Sequence, residues 1–248
     1  MNLGTAQRQF DLAAATFDTA DFVIAATRDG LLERLEPMAL EANVVLDLGA
    51  ATGSAIRALA RRFKRARIVA IDSSQNMLRS ARAKKSWLLK SAYIRAEAAM
   101  LPFVDHSVDV VFANQLLPWL SDPLPVIAEV SRVLRKDGVF LFSTLGPDSL
   151  AGLRHEPFAD MHDVGDALVR SGLRDPVLDV DRLTVTYATM ESLHNDFQAI
   201  GAGHCIPDRV ELPNLDFELI YGHCWGSGPR AAAGEYRVPA GQIGRRRP

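Results

Sequence analysis

Cysteine is almost absent from this chain: Cys205 and Cys224 are the only two in 248 residues, too few for a disulfide framework and in keeping with a reducing compartment. Long apolar runs are missing too. No uncharged stretch reaches the roughly 18 residues a membrane helix needs, because the longest candidate, residues 110–121, is broken by Asn114, Gln115 and Pro118. The first twelve residues have no charged leader followed by an apolar block, so no secretory signal is expected and the cytoplasm is the expected compartment. Charge of one sign is also lacking, the formal net charge being −2. What is present is ordinary for a globular protein, 48% hydrophobic and 23% charged, which excludes disordered, collagen-like and coiled-coil chains. The length suits one large domain.

The order of apolar segments predicts an α/β fold. Residues 7–40 are helix-like, with Phe10, Phe17, Phe22, Ile24, Leu31, Leu32 and Leu35 spaced among alanines and charges. Strands are predicted over 44–48 and 67–71 and helices over 54–63 and 74–85. A third strand falls at 93–96, and the near-continuous apolar run 108–113 suits a strand buried on both faces of a parallel sheet. Ser121-Asp122-Pro123 opens a helix with a capping residue and a proline in its first turn, and Gly138 is expected to end it. A fifth strand follows at 139–143, then a helix at 163–171, a strand-rich stretch at 177–187 and a late strand at 215–225. Five strands alternating with helices imply a doubly wound sheet with right-handed crossovers and a ligand at the carboxyl ends of the strands. The division expected is an N-terminal helical segment or lid at 1–42, a ligand-binding core at 43–145, a part completing the same domain at 146–226 and a flexible basic tail at 227–248.

Residues 44–53 read V-V-L-D-L-G-A-A-T-G, an apolar strand running into an acid and a glycine-containing turn that opens a helix. Gly49 lets backbone approach a ligand, Thr52 and Gly53 sit where helix-terminal amides face it, and Asp47 is placed to bind an ammonium group. The turn lacks the G-x-G-x-x-G spacing that admits a pyrophosphate, which favours a cofactor without phosphate over a nicotinamide dinucleotide. Asp72 ends the second strand, where a carboxylate accepts from both ribose hydroxyls; the alternative is an acid capping the next helix. Glu97, beyond the third strand, is placed for an adenine amino group or is a solvated loop acid.

With these three features in order, residues 44–144 resemble the class I methyltransferases. The resemblance implies a Rossmann-like, seven-stranded, doubly wound α/β sheet with helices on both faces, 215–225 as its antiparallel seventh strand, and S-adenosyl-L-methionine as cofactor. It implies Asp47, Gly49 and Gly53 at the methionine part, Asp72 at the ribose, Glu97 at the adenine, and Asn114 with Gln115 as the floor beneath the sulfonium. Ala50-Ala51 replace the commoner Cys-Gly. A narrower resemblance spans almost the whole chain through Arg8-x-Phe10-Asp11, Leu116-Leu117-Pro118-Trp119, residues 143–148 (STLGPD), 160–168 (DMHDVGDAL), 183–187 (LTVTY) and 221–226 (YGHCWG). These are similar to the malonyl-acyl carrier protein O-methyltransferases of biotin synthesis. That implies methylation of the free carboxylate of a malonyl thioester, with malonyl-acyl carrier protein as partner. A carboxylate with a pKa of about 4 is already ionised at neutral pH, so no general base or triad is expected. A cation should hold the malonyl carboxylate, and a bidentate arginine is the physical preference: Arg154 first, then His162, Tyr187 and Arg8.

Two stretches are shorter than the family pattern, between Leu153 and Phe158 and between Gly203 and Leu215, both in the acceptor half. Methylation of another small acceptor, or a non-catalytic assembly factor that binds the cofactor, are the other readings. The arginines and lysines from Arg57 to Arg95 are interrupted by one acid, Asp72. They form either solvated helix faces or a docking surface for an acidic carrier protein, and Arg245–Arg247 is a second candidate. Nucleic acid fits less well, since only Phe63 interleaves the charges before Trp87. The pairs His204-Cys205 and His223-Cys224 lack the spacing of a zinc site, so no metal is expected. The oligomeric state is not legible.

Overall fold

The apolar run Val44–Leu48 becomes β1, the third of seven strands in a single sheet. The structure is a computed structural model that describes residues 3–86, 89–207 and 214–228. β2 (Arg67–Asp72) and β4 (Val108–Asn114) flank β1 in parallel, with β3 (Ser91–Arg95) beyond β2 and β5 (Leu134–Leu145) beyond β4. β7 (Asn214–Trp225) inserts antiparallel between β5 and β6 (Arg174–Thr186). The sheet is therefore the seven-stranded, Rossmann-like one expected, with its antiparallel strand where 215–225 placed it.

Period-two alternation decides which side chains meet which helices. Val45, Ile68, Val110 and Leu141 point to one face, which packs α2 (Phe22–Leu35), α3 (Ile56–Arg62) and α7 (Met190–Ala199). Leu46, Val69, Val111 and Phe140 point to the other, against α5 (Leu124–Val133) and α6 (Met161–Arg170). α4 (Gln75–Ala83) buries Leu78 on the first face, while its Met77 meets Ala13 and Phe17 of the N-terminal segment, which begins with α1 (Leu3–Ala13). Phe112, Phe140 and Phe142 are fully buried; truncating any one to alanine costs about 3–5 kcal/mol.

Three sequence expectations change. The helix opened at 121–123 begins at Leu124, with Asp122 accepting from the Leu124 N–H at 2.9 Å, but it stops at Val133 and not at Gly138. Leu134 is already extended (φ −67°, ψ 133°) and pairs with Val108. Gly138 lies inside β5, where an added Cβ would sit 3.0 Å from the Asp109 carbonyl oxygen. The third strand starts at Ser91 instead of residue 93, and α7 is an element that the loosened pattern after Thr144 did not reveal. The Thr189 hydroxyl caps it, accepting from the Ser192 N–H at 3.1 Å. The basic tail lies outside the described residues from 229 onward, Arg245–Arg247 included. Among the described residues, no helix is long and apolar enough to cross a membrane.

Candidate active site

The turn after β1 carries the strongest chemical signal. The Gly49 and Ala50 N–H groups both donate to the Ile71 carbonyl, at 2.9 and 3.0 Å, folding the turn over the end of β2. This demands left-handed backbone at Gly49 (φ 74°), Ala51 (φ 44°) and Gly53 (φ 77°). A Cβ on Gly49 would meet Leu116 at 3.1 Å, and one on Gly53 would meet Ile56 and Ala81 at 2.8 and 2.9 Å. Gly53 thus shapes the turn from behind and lines no cavity, whereas Gly49 faces a cavity of about 270 Å³ at the carboxyl ends of β1, β2 and β4.

That cavity brings together Asp47, Gly49, Asp72, Glu97, Asn114 and Gln115, every other cofactor residue expected from the sequence. Asp47 is 2% exposed and its Oδ2 has no hydrogen-bond partner. Burial, then the neighbouring Asp72 charge, push its carboxyl up to about 7. Asp72 accepts one backbone N–H on each oxygen, from Ala51 and from Ser74, both at 2.8 Å. Burial pushes it up to about 6 even so, the two N–H groups working the other way and Asp11 and Glu97 adding to the rise. The bond to Ser74 means that the local turn role considered for Asp72 coexists with its position on the cavity wall.

Asn114 is held from both sides, donating to the Ile24 carbonyl and accepting from the Ser143 hydroxyl, each at 2.8 Å. Gln115 is also in the left-handed region (φ 53°), its N–H on Ser143 Oγ at 3.0 Å. Sequence reasoning missed how much of the wall is N-terminal. Phe10, Phe17 and Ile24 close the cavity from above, and Phe10 stands edge-on to Trp119, ring centroids 4.7 Å apart. Asp11 latches α1 to the start of α4, accepting from the Ser74 hydroxyl at 2.6 Å and the Asn76 N–H at 3.0 Å. Asp18 accepts from the Thr52 hydroxyl and pairs with Lys84. The helical segment or lid expected over 1–42 and the motif Arg8-x-Phe10-Asp11 were the sequence signals for this roof.

A larger cavity, about 560 Å³, opens beside the first. The two share Ile24, Gln115, Trp119 and Leu120. Arg154 and Tyr187 line the larger one. Arg154 is exposed, with its backbone N–H on the Cys205 carbonyl. Tyr187 is buried; burial, and the charge of Asp196 with which its hydroxyl bonds, push its phenol up to about 12. The expectation for His162 is corrected: its side chain is 86% exposed, lies on neither cavity wall and bonds Asp160, the residue that caps α6. Arg8 is exposed on α1 and lines neither cavity. Among the described residues no cluster of His, Cys, Asp or Glu has metal-site geometry.

A sheet of this order, with buried carboxylates at the ends of its first two strands and a turn without pyrophosphate glycines, defines a class I methyltransferase. A family model described as "Methyltransferase domain" matches residues 46–142. Solved structures share the fold. YcgJ of Bacillus subtilis superposes with a TM-score of 0.62 at 16% identity, over 81% of this chain and 100% of that one. A putative methyltransferase of Haloferax volcanii, solved with the Trm112 methyltransferase activator, gives 0.65 at 19%, over 92% and 99%. Among curated proteins, the malonyl-[acyl-carrier protein] O-methyltransferase of Halorhodospira halophila is 35% identical over 294 aligned positions, covering 100% of both chains. Malonyl-[acyl-carrier protein] O-methyltransferase 1 of Coxiella burnetii is 36% identical, over 94% of this chain and 93% of the relative. The chain belongs to the malonyl-[acyl-carrier protein] O-methyltransferase family, and it is an S-adenosylmethionine-dependent methyltransferase. The first alignment leaves at least 46 of its 294 positions without a counterpart in these 248 residues.

Proposed function

We propose that this protein methylates the free carboxylate of malonyl-acyl carrier protein, the step that masks its charge in biotin synthesis, and that it does so in the cytoplasm. The observation that carries the reading is the pair of joined cavities: one ends at the orphaned Asp47 carboxylate, the other opens past Arg154, and Gln115 and Trp119 lie between them.

The residues present fit the methyl donor. A buried carboxylate oxygen without a partner calls for a cation, and the left-handed backbone at Gly49, bare of a side chain on the cavity wall, suits a ligand pressed against the turn. S-adenosylmethionine supplies, when bound, a methyl group activated on a sulfonium. Asp47 holds its α-ammonium, with Gly49 against the methionine part and Gly53 shaping the turn. Asp72, whose oxygens each accept one backbone N–H and keep a lone pair, holds the ribose hydroxyls. Glu97 accepts from the adenine amino group, and Asn114 and Gln115 form the floor. Arg154 takes the anionic acceptor at the rim, and Tyr187, anchored on Asp196, fixes the inner wall. The acceptor carboxylate is ionised at neutral pH, so the protein moves no proton and needs no base. Its contribution is alignment in a water-poor space closed by Phe10, Phe17 and Ile24, where effective molarities of about 10⁵ M and above become accessible.

Mass-spectrometric detection of methyl transfer to malonyl-carrier protein, with cofactor binding followed in the same sample, tests this. Methyl ester formation is expected. Cofactor binding without transfer would point to another acceptor or a non-catalytic role, and loss of both would overturn the assignment of the first cavity.

A further inference from the structure

The acceptor-side cavity is larger than a malonyl group alone. Its volume of about 560 Å³, part of it open to solvent and part taken by the thioester and carrier arm, leaves room beyond a three-carbon acyl group. Its walls are apolar, built from Phe22, Leu145, Leu150, Phe158, Phe197 and Phe217, while Arg154 and Glu156 stand exposed at the rim. The amides of a carrier arm suit that rim, whereas each methylene of an acyl chain buried against the walls gains up to about fourfold in binding. The space joins the cofactor cavity at Gln115 and Trp119, where a terminal carboxylate must arrive to react.

We propose that the protein also methylates the terminal carboxylates of longer ω-carboxyacyl thioesters, of the glutaryl-to-suberyl class, with the extra methylenes packed against these aromatic and aliphatic walls. This rests on the carboxylate-methylation reading above. The transfer balances as for malonyl: a carboxylate oxygen lone pair forms the new O–CH3 bond as the donor's S–CH3 bond breaks, the bonding pair stays on sulfur, the sulfonium becomes a neutral thioether, and no proton moves.

The test is kcat/KM for malonyl, glutaryl, adipyl and suberyl groups on one carrier protein, read as methyl ester by mass spectrometry. Adipyl or suberyl turnover at least equal to malonyl is expected. Turnover of malonyl with a fall of more than about tenfold by adipyl would overturn this inference and leave the parent reading standing; turnover of none, with cofactor bound, would sink both. Val23→Phe and Ile200→Phe, each narrowing the cavity, should lower the adipyl-to-malonyl ratio by about tenfold, some two methylenes' worth. A ratio unmoved in both folded variants would remove the cavity from the explanation.

Discussion

Asp47 shows what one buried side chain contributes. A carboxyl that holds its proton to about pH 7 binds more protons in the native than in the unfolded protein between roughly pH 4 and 7, so its contribution to stability declines as pH rises through that window. Asp18 and Glu129 are held below the usual range and act in the opposite direction, so the difference between two proteins isolates the effect. Ligand-free Asp47→Asn should be more stable than the parent at pH 8, by about 2 kcal/mol or several degrees in Tm, and the gain should shrink toward pH 5. Thermal unfolding at both pH values checks it; a variant less stable at pH 8 would mean that the Oδ2 atom is satisfied in solution. The same substitution should weaken S-adenosylmethionine binding. In the parent, calorimetric affinity should fall by up to about tenfold per pH unit below pH 7, as a proton competes with the ammonium group. For Asp72→Asn, weakened binding with the fold retained is expected, and unchanged affinity would exclude its ribose role.

Among the elements, the β1 turn and the N-terminal roof depend on a few contacts each. Gly53→Ala places a methyl 2.8 Å from Ile56 at a φ of 77°, a combination that should cost about 2–3 kcal/mol and reduce cofactor affinity with it. Asp11→Ala removes the acceptor for Ser74 and Asn76; at roughly 1.5 kcal/mol for a charge-assisted bond, cofactor dissociation should quicken about tenfold, with faster amide exchange across α1. A dissociation rate unmoved by Asp11→Ala would mean that the roof opens by another hinge. The turn was legible because V-V-L-D-L-G-A-A-T-G places an acid and glycines at offsets fixed by local geometry, and the strands because buried parallel strands are continuous apolar runs. The helical lid was expected, but its latches were not: Asp11 and Asp18 act through residues more than thirty positions away in sequence, which no local period encodes. α7 was hidden because its apolar face is only Leu193 and Phe197, and the helix expected to run to Gly138 ended early because pairing of Leu134 with Val108 outweighed the local signal. His162 lies off both cavity walls because its place in the first turn of α6, beside the capping Asp160, turns it to solvent.

Across the whole molecule, one group of basic residues lies at the end opposite the chemistry, while Arg28 lines the cofactor cavity and Arg95 ends β3 beside it. Arg62, Lys64, Arg65, Arg67 and Lys90 flank the amino ends of β1 to β3: Arg67 opens β2, Lys90 precedes β3, and Arg62 reaches the Met38 carbonyl just before β1. Both cavities lie at the carboxyl ends, about 20 Å away along a six-residue strand. A carrier protein held on the basic end would have its arm pointing away from the acceptor cavity, which favours the rim around Arg154 over this stretch as the docking surface to be tested. Reversing Arg65 and Arg67 to glutamate should leave the KM for the carrier protein unchanged, whereas Arg154→Ala should raise it or lower the rate while sparing cofactor affinity. Steady-state kinetics on both variants decides between the two surfaces.

The same polarity sets how the protein behaves at a charged boundary. Brought to a negatively charged bead at low ionic strength, the molecule should adsorb by its arginine-rich base, with the mouth of both cavities turned toward the liquid. Enzyme held in this way should keep turning over substrate on the solid support, and should be released by salt.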